Sequence, residues 1–323
     1  MSGAPTAHPA TALAPLQASR AAGAAAAQGL LGVLDLGAAG LPPLAGPGAD
    51  LWCGATAVQG GAEGALRWAD DGQWLFGALD LPDDGRGVEA LARAAYDQVF
   101  ACLARHGRPL VRLWNYLPRI NEEAQGLERY RQFNAGRQQA FVAAGVDAFA
   151  GAPAACCLGK GDGSLSVRFL AGRTQVQPLE NPRQVPAWRY SRRYGPKAPT
   201  FSRAVLADAG GGRVGLFVSG TASIVGEDSL HEGDVQAQTR ETLANLRAVL
   251  DAAAAKSDAR FALDDLDLTV YLRRPTDLPA VHALLAAAAP AAAARAAWWQ
   301  ADICRRELLV EIEAHAFAGG AIR

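Results

Sequence analysis

Two glutamates near the carboxyl terminus stand where a strand is expected, and they are the first candidates for chemistry. In residues 300–314, QADICRRELLVEIEA, apolar residues alternate from Leu308 to Ile312, which places Glu311 and Glu313 on the opposite face of the strand. A carboxyl group on a buried face has a raised pKa and can act as a general acid. Charged residues are mostly exposed, however, so the pattern alone favours an ordinary solvated face.

Two further segments, residues 118–141 and 188–204, interleave arginine with tyrosine. Arginine can hold a carboxylate through paired hydrogen bonds while a nearby aromatic ring packs against the ligand. Such residues also connect loops without binding anything, and they suit nucleic acid. The formal net charge of -1 and the lack of a nucleic-acid motif argue against nucleic acid. The two segments therefore predict either anion sites or structural loops.

Other candidate groups carry weaker signals. Residues 159–164, GKGDGS, lack the order of a phosphate-binding loop, and residues 231–234, HEGD, fit a helix cap better than a metal site. Gly220, at the end of a strand and followed by Thr221, can offer backbone donors or form a turn. Cys304 has no histidine near it in the sequence, which favours an unreactive buried thiol. No metal or organic cofactor is predicted.

Composition indicates a globular protein of a reducing compartment. The 323 residues are 50% hydrophobic, enough for one large or two ordinary domains. The cysteines are odd in number and lack zinc-site spacing, which predicts a cytoplasmic protein without a disulfide framework. They are Cys53, Cys102, Cys156, Cys157 and Cys304. Residues 280–299 are apolar but contain Pro290 and Arg295, so they predict a soluble helix pair rather than a membrane span.

The elements that must position these groups occur in the same order twice. Each half contains a strand, an amphipathic helix and a second strand, and Asp234 caps the second helix. The predicted ranges are 73–81, 87–107 and 109–117 in the first half, and 213–224, 234–255 and 265–274 in the second. The repetition predicts two α+β halves in which each helix lies across its own sheet.

Three regions are expected along the chain. Residues 1–28 are rich in Ala, Pro and Gly and predict a flexible tail. An amino-terminal α+β domain is expected over 29–175 and a carboxyl-terminal domain over 176–323. Residues 179–204 are rich in proline and basic residues, which predicts irregular chain at the seam between the two domains.

Five stretches together resemble the chorismatase family, enzymes that remove pyruvate from chorismate. They run in the family order and cover most of the chain from about residue 110 onward; they are 114–121, 126–137, 180–204, 216–246 and 302–314. The resemblance implies a carboxyl-terminal half similar to the reactive-intermediate deaminase (Rid) superfamily, with a related amino-terminal half. The expected fold is α+β, with two Rid-like (chorismate-mutase-like) halves, each a mostly antiparallel sheet covered by helices.

The resemblance also implies roles for individual residues. The family's substrate-binding pairs fall on Tyr130 with Arg137 and on Tyr190 with Arg203, and its catalytic glutamate falls on Glu311. Chorismate carries two carboxylates on an apolar ring that bears an enolpyruvyl ether, so two cationic clamps suit it. In this interpretation the face of Glu311 is buried, and its carboxyl group protonates the terminal methylene of the enol ether.

The ring product is expected to depend on two small residues. A cysteine at position 304 and a glycine at position 220 resemble the branch that yields 3-hydroxybenzoate, whereas alanines there go with hydrolysis to a dihydroxycyclohexadiene carboxylate. We therefore count Cys304 with Glu311 as catalytic, and Gly220 and Thr221 as substrate-binding; 4-hydroxybenzoate stays open as a second product. Because Cys304 and Glu311 are seven residues apart, an unbroken strand would point them to opposite faces. The assignment thus requires a bend near residues 304–306.

Two other functions stay open. One is a Rid-like imine deaminase, in which an arginine holds a carboxylate while water attacks, usually at the interfaces of a trimer. The other is a protein that binds chorismate without turning it over. The expected enzyme, by contrast, is a cytoplasmic monomer that acts on chorismate and has neither nucleic acid nor membrane as a partner.

Overall fold

The structure, a computed structural model, describes residues 16–21, 29–54 and 57–323. In its amino-terminal half, helices alternate with short and long strands. The elements there are β1 (Gln17–Ala21), β2 (Leu30–Asp35), β3 (Pro43–Ala45), β4 (Ala49–Cys53), β5 (Gln59–Glu63), β6 (Leu66–Asp70), β7 (Trp74–Pro82), α1 (Val88–His106), β8 (Leu110–Pro118), β9 (Glu123–Ala124), β10 (Leu127–Glu128), α2 (Arg129–Ala143), β11 (Ala154–Lys160) and β12 (Ser164–Gly172).

The carboxyl-terminal half repeats this alternation. Its elements are β13 (Val176–Leu179), β14 (Ala204–Gly210), β15 (Arg213–Thr221), β16 (Ile224–Val225), β17 (Asp228–Ser229), α3 (Val235–Lys256), β18 (Asp267–Leu272), α4 (Leu278–Ala288), α5 (Pro290–Arg295), β19 (Ala297–Gln300) and β20 (Val310–Gly319). Short 3-10 turns cover 187–189, 192–194, 263–265 and 275–277.

The six predicted elements of the repeat are confirmed as β7, α1, β8, β15, α3 and β18. Asp234 caps α3 as expected, because its side chain accepts a hydrogen bond of 3.0 Å from the backbone N–H of Ala237. The predicted helix pair over 280–299 is confirmed as α4 and α5 but is wrong at its end, where Trp298 and Trp299 lie in β19. Both faces of β19 are buried, so its apolar run shows no alternation that would separate it from a helix.

The two halves share one topology. In the first, the sheet order is β11-β8-β12-β7-β6-β5; in the second, it is β13-β14-β15-β20-β18-β19-β3. In each half a helix links two strands that leave a gap between them, and a later strand, β12 or β20, fills this gap antiparallel to both neighbours. The parallel pairs are β8 with β11 and β18 with β19. The predicted α+β class with mostly antiparallel sheets is confirmed.

The layers stack as helices, sheet, sheet, helices. One buried cluster fills the space between the two large sheets and contains Trp114 from the first and Phe217 and Tyr271 from the second. A second cluster lies between the carboxyl-terminal sheet and α3, α4 and α5, and a third lies between the amino-terminal sheet and α1 and α2. The inner faces of the two large sheets, together with residues of β2 and β4, therefore bury one another's side chains.

The prediction of a flexible tail over residues 1–28 is wrong for Gln17–Ala21, which form β1. This strand pairs with β4 in a three-stranded sheet with β2. Arg20 pairs with Asp50 at 3.1 Å and donates to two backbone carbonyls of the carboxyl-terminal half. Tertiary contacts thus order a segment whose composition indicates flexibility. Residues 1–15 and 22–28 lie outside the described residues.

One strand crosses the predicted boundary between 29–175 and 176–323. β3 belongs to the first range by sequence, but it pairs with β19 at the edge of the carboxyl-terminal sheet. The division into two domains stays a prediction.

Within the described part of the chain, none of the helices has the length and apolar character needed to cross a membrane.

Candidate active site

A cavity of about 360 Å³ opens between the start of α2, the loop that precedes β14 and the bend before β20. Six of the eight residues predicted for the site line it: Tyr130, Tyr190, Arg203, Gly220, Cys304 and Glu311. A smaller cavity of about 30 Å³ shares Glu311 with it and is lined by Arg137. Glu311 thus lies where the two cavities meet.

Glu311 is buried and can hold a proton at neutral pH. It lies on β20 opposite Tyr271 of β18, and only 3% of its surface is exposed. Burial raises the pKa of its carboxyl group to about 8, because a low-dielectric environment disfavours the charged form. The carboxylate of Glu313 raises this pKa further, while Arg112 opposes the shift. The site therefore contains a carboxylic acid suited to donate a proton.

Glu313, two residues away on the same face, has hydrogen-bond and ion-pair partners. It forms a buried ion pair with Arg112 and accepts a hydrogen bond of 2.8 Å from the hydroxyl of Tyr271. The hydroxyl of Tyr271 in turn lies 3.4 Å from that of Tyr116. Glu313 is thus a partnered carboxylate, and Glu311 is the candidate acid. The expectation of a solvated face is wrong for both, since the amino-terminal sheet covers them.

The predicted bend is present and brings Cys304 to Glu311. The backbone bends at residues 304–305 and turns at 306–307, so the strand begins only at Val310. The Sγ atom of Cys304 lies 4.0 Å from Oε2 of Glu311. Burial and the adjacent Glu311 carboxyl group raise the pKa of the Cys304 thiol. The thiol therefore stays protonated, and it contacts the acid without the properties of a thiolate nucleophile.

Gly220 contacts Glu311 from the other side. The pairing of β15 with β20 shifts register between Val218 and Thr221, which is a β-bulge at the end of the strand. A Cβ atom added at Gly220 would lie 1.9 Å from Oε1 of Glu311, and 3.3 Å from the Cβ of Cys156. No side chain fits there without moving the acid.

Tyr130 and Arg137 lie on one face of α2, since seven residues make about two helical turns. The helix approaches α1 closely at Gly136, where a Cβ atom would lie 2.0 Å from the carbonyl oxygen of Glu89. Arg137 is 1% exposed and donates to Asn134 at 3.1 Å, while its Nε atom is buried without a hydrogen-bond partner. The guanidinium group thus carries a donor without a partner in the described chain.

Tyr190 and Arg203 form the second predicted pair and contact each other directly. Nη2 of Arg203 donates to the Tyr190 hydroxyl at 2.6 Å and to the carbonyl of Val185 at 2.8 Å. The Nε atom of Arg203 is buried and has no hydrogen-bond partner. Tyr190 follows the 3-10 turn over 187–189, within a stretch that is irregular as predicted, and it lies at the cavity wall.

Thr221 is the predicted residue that lines neither cavity. Its hydroxyl donates to the carbonyl of Ser219 at 2.8 Å, within the bulge. Two residues that we did not predict, Tyr194 and Arg305, do line the larger cavity. Arg305 is adjacent to Cys304 in the sequence, which was the available signal.

The part of the chain that the structure describes contains no group of three or more His, Cys, Asp or Glu side chains arranged to hold a metal ion.

Two protein families match the two halves. The family described as "Chorismatase FkbO/Hyg5-like, N-terminal" matches residues 50–171, and the family described as "Endoribonuclease L-PSP" matches residues 197–318. A 3-hydroxybenzoate synthase from Streptomyces hygroscopicus is 40% identical over 284 residues, which cover 84% of this chain and 82% of the relative. A chorismatase from Streptomyces rapamycinicus is 38% identical, over 82% of this chain and 81% of its own.

The fold is similar over nearly the whole length of a solved relative. A chorismatase crystal structure matches with a TM-score of 0.84 and 30% sequence identity, over 95% of this chain and 100% of its own. The curated relatives align with most of the chain, and the solved structure aligns with nearly all of it. The chain therefore belongs to the chorismatase family.

Proposed function

We propose that the protein converts chorismate into pyruvate and 3-hydroxybenzoate. The observation that carries the proposal is the buried Glu311 carboxyl group, with a pKa of about 8, at the junction of two cavities that hold Arg137 and Arg203. The printed name of the relative from Streptomyces hygroscopicus supports the same substrate and product. Chorismate presents two carboxylates on an apolar frame, which suits a cavity with cations at separate ends.

The first step is a proton transfer. Glu311 gives its proton to the terminal methylene carbon of the enolpyruvyl group, and the electrons of the double bond form the new C–H bond. The oxocarbenium ion that results is stabilised by the carboxylate left on Glu311. The ether bond to the ring then breaks, and its electrons complete the carbonyl group of pyruvate.

The second step restores the acid. The ring hydroxyl attacks the carbon that pyruvate leaves and returns its proton to Glu311. The original bond between this oxygen and the carbon that first carried the hydroxyl then breaks, the carbon that pyruvate left loses its proton, and the oxygen takes up a proton. The product is an aromatic ring whose one hydroxyl group stands at the position that carried the ether. No water is consumed, which suits a buried acid. In the hydrolytic alternative, water adds to the oxocarbenium ion before the ether bond breaks and returns a proton to Glu311. The adduct then releases pyruvate, and the ring keeps both of its own oxygen atoms as hydroxyl groups.

The choice between these outcomes is proposed to depend on Gly220 and Cys304, which contact Glu311 from opposite sides. Gly220 leaves the space that Oε1 occupies, and the thiol of Cys304 lies 4.0 Å from Oε2. Together they fix where the acid points and how much room remains for water beside it. Tyr130 is proposed to pack against the substrate. Thr221 lines neither cavity, so any effect on the substrate would come through the bulge backbone that its hydroxyl holds.

Incubation of the purified protein with chorismate, in water that carries a heavy isotope of oxygen, tests the proposal. We expect pyruvate and 3-hydroxybenzoate in equal amounts, with no label in the ring product. A dihydroxycyclohexadiene carboxylate in place of 3-hydroxybenzoate would identify the hydrolytic branch. Tight binding of chorismate without pyruvate would identify a binding protein. Imine hydrolysis without chorismate turnover would identify a Rid-like deaminase.

We also propose that the enzyme acts as a monomer in the cytoplasm. The described site takes all of its residues from one chain, and the sheet faces cover each other within that chain. All five cysteines are free, which suits a reducing compartment. Light scattering coupled to size-exclusion chromatography should give the mass of one chain; the mass of a trimer would contradict the proposal.

A further inference from the structure

Arg305 is a third buried arginine at the cavity. It is 8% exposed and lines the cavity wall. Its Nη1 atom donates to the carbonyl of Glu227 at 2.8 Å and to the hydroxyl of Ser229 at 3.0 Å. The centre of its guanidinium group lies 3.8 Å from the ring centroid of Tyr194 and 5.1 Å from that of Tyr190. Its position is thus fixed before any ligand arrives.

The buried arginines of the described chain fall into two classes. Four of them form ion pairs with carboxylates: Arg108, Arg112, Arg129 and Arg168. Arg137, Arg203 and Arg305 have no carboxylate within ion-pair distance among the described residues, although Glu180 interacts with Arg203 at longer range. A buried charge without a counter-charge is costly. All three line the cavities, so an anionic ligand can supply the missing charge.

The three cations are divided between the two ends of the site. Arg203 and Arg305 both lie against Tyr190, with guanidinium centres 5.5 and 5.1 Å from its ring centroid. Arg137 lines the smaller cavity beyond Glu311. The larger cavity therefore presents two buried guanidinium groups, with Arg131 and Arg306 less buried on its wall, and the smaller cavity presents one. A carboxylate has acceptor sites for two guanidinium groups at once.

We propose that Arg305 is a substrate-binding residue that shares one carboxylate of a dianionic substrate with Arg203, while Arg137 holds the other carboxylate. The identity of the substrate rests on the proposed function, but the preference for a dicarboxylate rests on the geometry of the three arginines alone. The guanidinium group of Arg305 donates to the bound carboxylate, and Tyr194 packs against its plane.

Arg193 packs against the same tyrosine as Arg305 but has a structural role, so it is a matched control. Its guanidinium centre lies 4.6 Å from the centroid of the same Tyr194 ring. However, it pairs with Asp228 and with Glu227, its side chain is 50% exposed, and it does not line the cavity. Loss of Arg193 removes a stacking partner of Tyr194 without removing a ligand-binding donor.

The kinetic test compares Arg305→Met with Arg193→Met. Methionine keeps an apolar stem against Tyr194 and removes the charge. We expect the KM for chorismate to rise at least about 30-fold in Arg305→Met with a smaller change in kcat, since the truncation of a desolvated charge pair weakens binding. Arg193→Met should keep KM within about twofold of the wild type. Equal KM values in the two variants would overturn the inference.

If the melting temperature of Arg305→Met shows that this variant does not fold, a second variant replaces it. Arg305→Lys keeps a charge but loses the planar fork that reaches the Glu227 carbonyl, Ser229 and a ligand together. We expect its KM to rise at least about fivefold. A wild-type KM in this variant would also overturn the inference.

A binding measurement separates this inference from the proposed function. Calorimetry with isophthalate, a ring dicarboxylate, and benzoate, its monocarboxylate counterpart, needs no turnover. We expect the wild type to prefer isophthalate and this preference to fall at least about tenfold in Arg305→Met but not in Arg193→Met. If chorismate is not turned over and this pattern holds, the proposed function fails and the role of Arg305 stands. If chorismate is turned over and the preference is unchanged, the role of Arg305 fails alone.

Discussion

Gly220 lies so close to Glu311 that a Cβ atom on it would stand 1.9 Å from Oε1 of the glutamate. This separation is far below a van der Waals contact, so the acid occupies the space that a side chain at position 220 would take. The β-bulge at the end of β15 produces this approach. The position of the acid and the residue type at 220 are therefore coupled by contact.

Gly220→Ala should displace the Glu311 carboxyl group. We expect slower turnover and a shift of product from 3-hydroxybenzoate toward the dihydroxycyclohexadiene carboxylate, because the acid moves and space for water changes. Chromatography with mass detection measures the ratio of products. Gly161→Ala is the matched control, since an added Cβ there meets nothing within 4 Å. An unchanged product ratio in Gly220→Ala would contradict the coupling.

Cys304→Ala should also move the product toward the dihydroxycyclohexadiene carboxylate. The substitution removes the thiol that lies 4.0 Å from Oε2 of Glu311 and leaves room beside the acid. The same chromatographic assay applies, with Cys53→Ala as a control because Cys53 does not line the described cavities. If only 3-hydroxybenzoate is formed, the assignment of Cys304 to product choice is wrong.

The pH profile of kcat should fall as pH rises through about 8. The pKa of Glu311 is raised to about 8, and the protonated form is the one that reacts. Glu313→Gln removes a neighbouring negative charge and leaves Arg112 without its partner; both changes lower the pKa of Glu311. Its kcat should therefore begin to fall at a lower pH. A wild-type profile that stays flat above pH 9 would show that another group is the acid.

Glu311→Gln should abolish most turnover and stabilise the fold at neutral pH. The folded-state pKa lies above the ordinary value of 4.5, so at neutral pH the folded chain keeps a proton that the unfolded chain has released. This costs about 3 kcal/mol at pH 7, and the cost vanishes as pH falls below the unfolded pKa. Glutamine resembles the protonated acid and does not titrate.

Melting curves at several pH values measure this difference. The variant should melt about 5 °C above the wild type at pH 7 and at nearly the same temperature below pH 4. Turnover should fall at least about 100-fold, since a general acid contributes that much. A variant that is less stable at pH 7, or that keeps its activity, would remove Glu311 from the mechanism.

Arg137→Ala and Arg203→Ala should each weaken chorismate binding by about 2–5 kcal/mol, because each removes one partner of a desolvated charge pair. Calorimetry in the Glu311→Gln background measures Kd without turnover. Arg247→Ala, on the exposed face of α3, is the control and should leave Kd unchanged. Full binding in both cavity variants would mean that the carboxylates are held elsewhere.

Sequence by itself determined the local features of this protein. The alternation around Glu311, the cap at Asp234 and the repeated order of strand, helix and strand all describe residues close together in the chain, and the structure agrees with them. Once the resemblance had assigned Cys304 and Glu311 to one site, their odd spacing also predicted the bend that is present. The family resemblance then placed seven of its eight candidate residues at the two cavities.

Only the tertiary structure decided which charges are buried and which of these have a partner. Glu311 and Glu313 share a face and similar exposure, yet Glu313 is held by Arg112, 201 positions away in the sequence, while Glu311 opens onto the cavity. The same packing orders β1 and leaves Arg305 without a carboxylate. Periodicity is a property of neighbouring residues, whereas burial and ion pairing depend on which distant strand covers a face, and no local pattern contains that information.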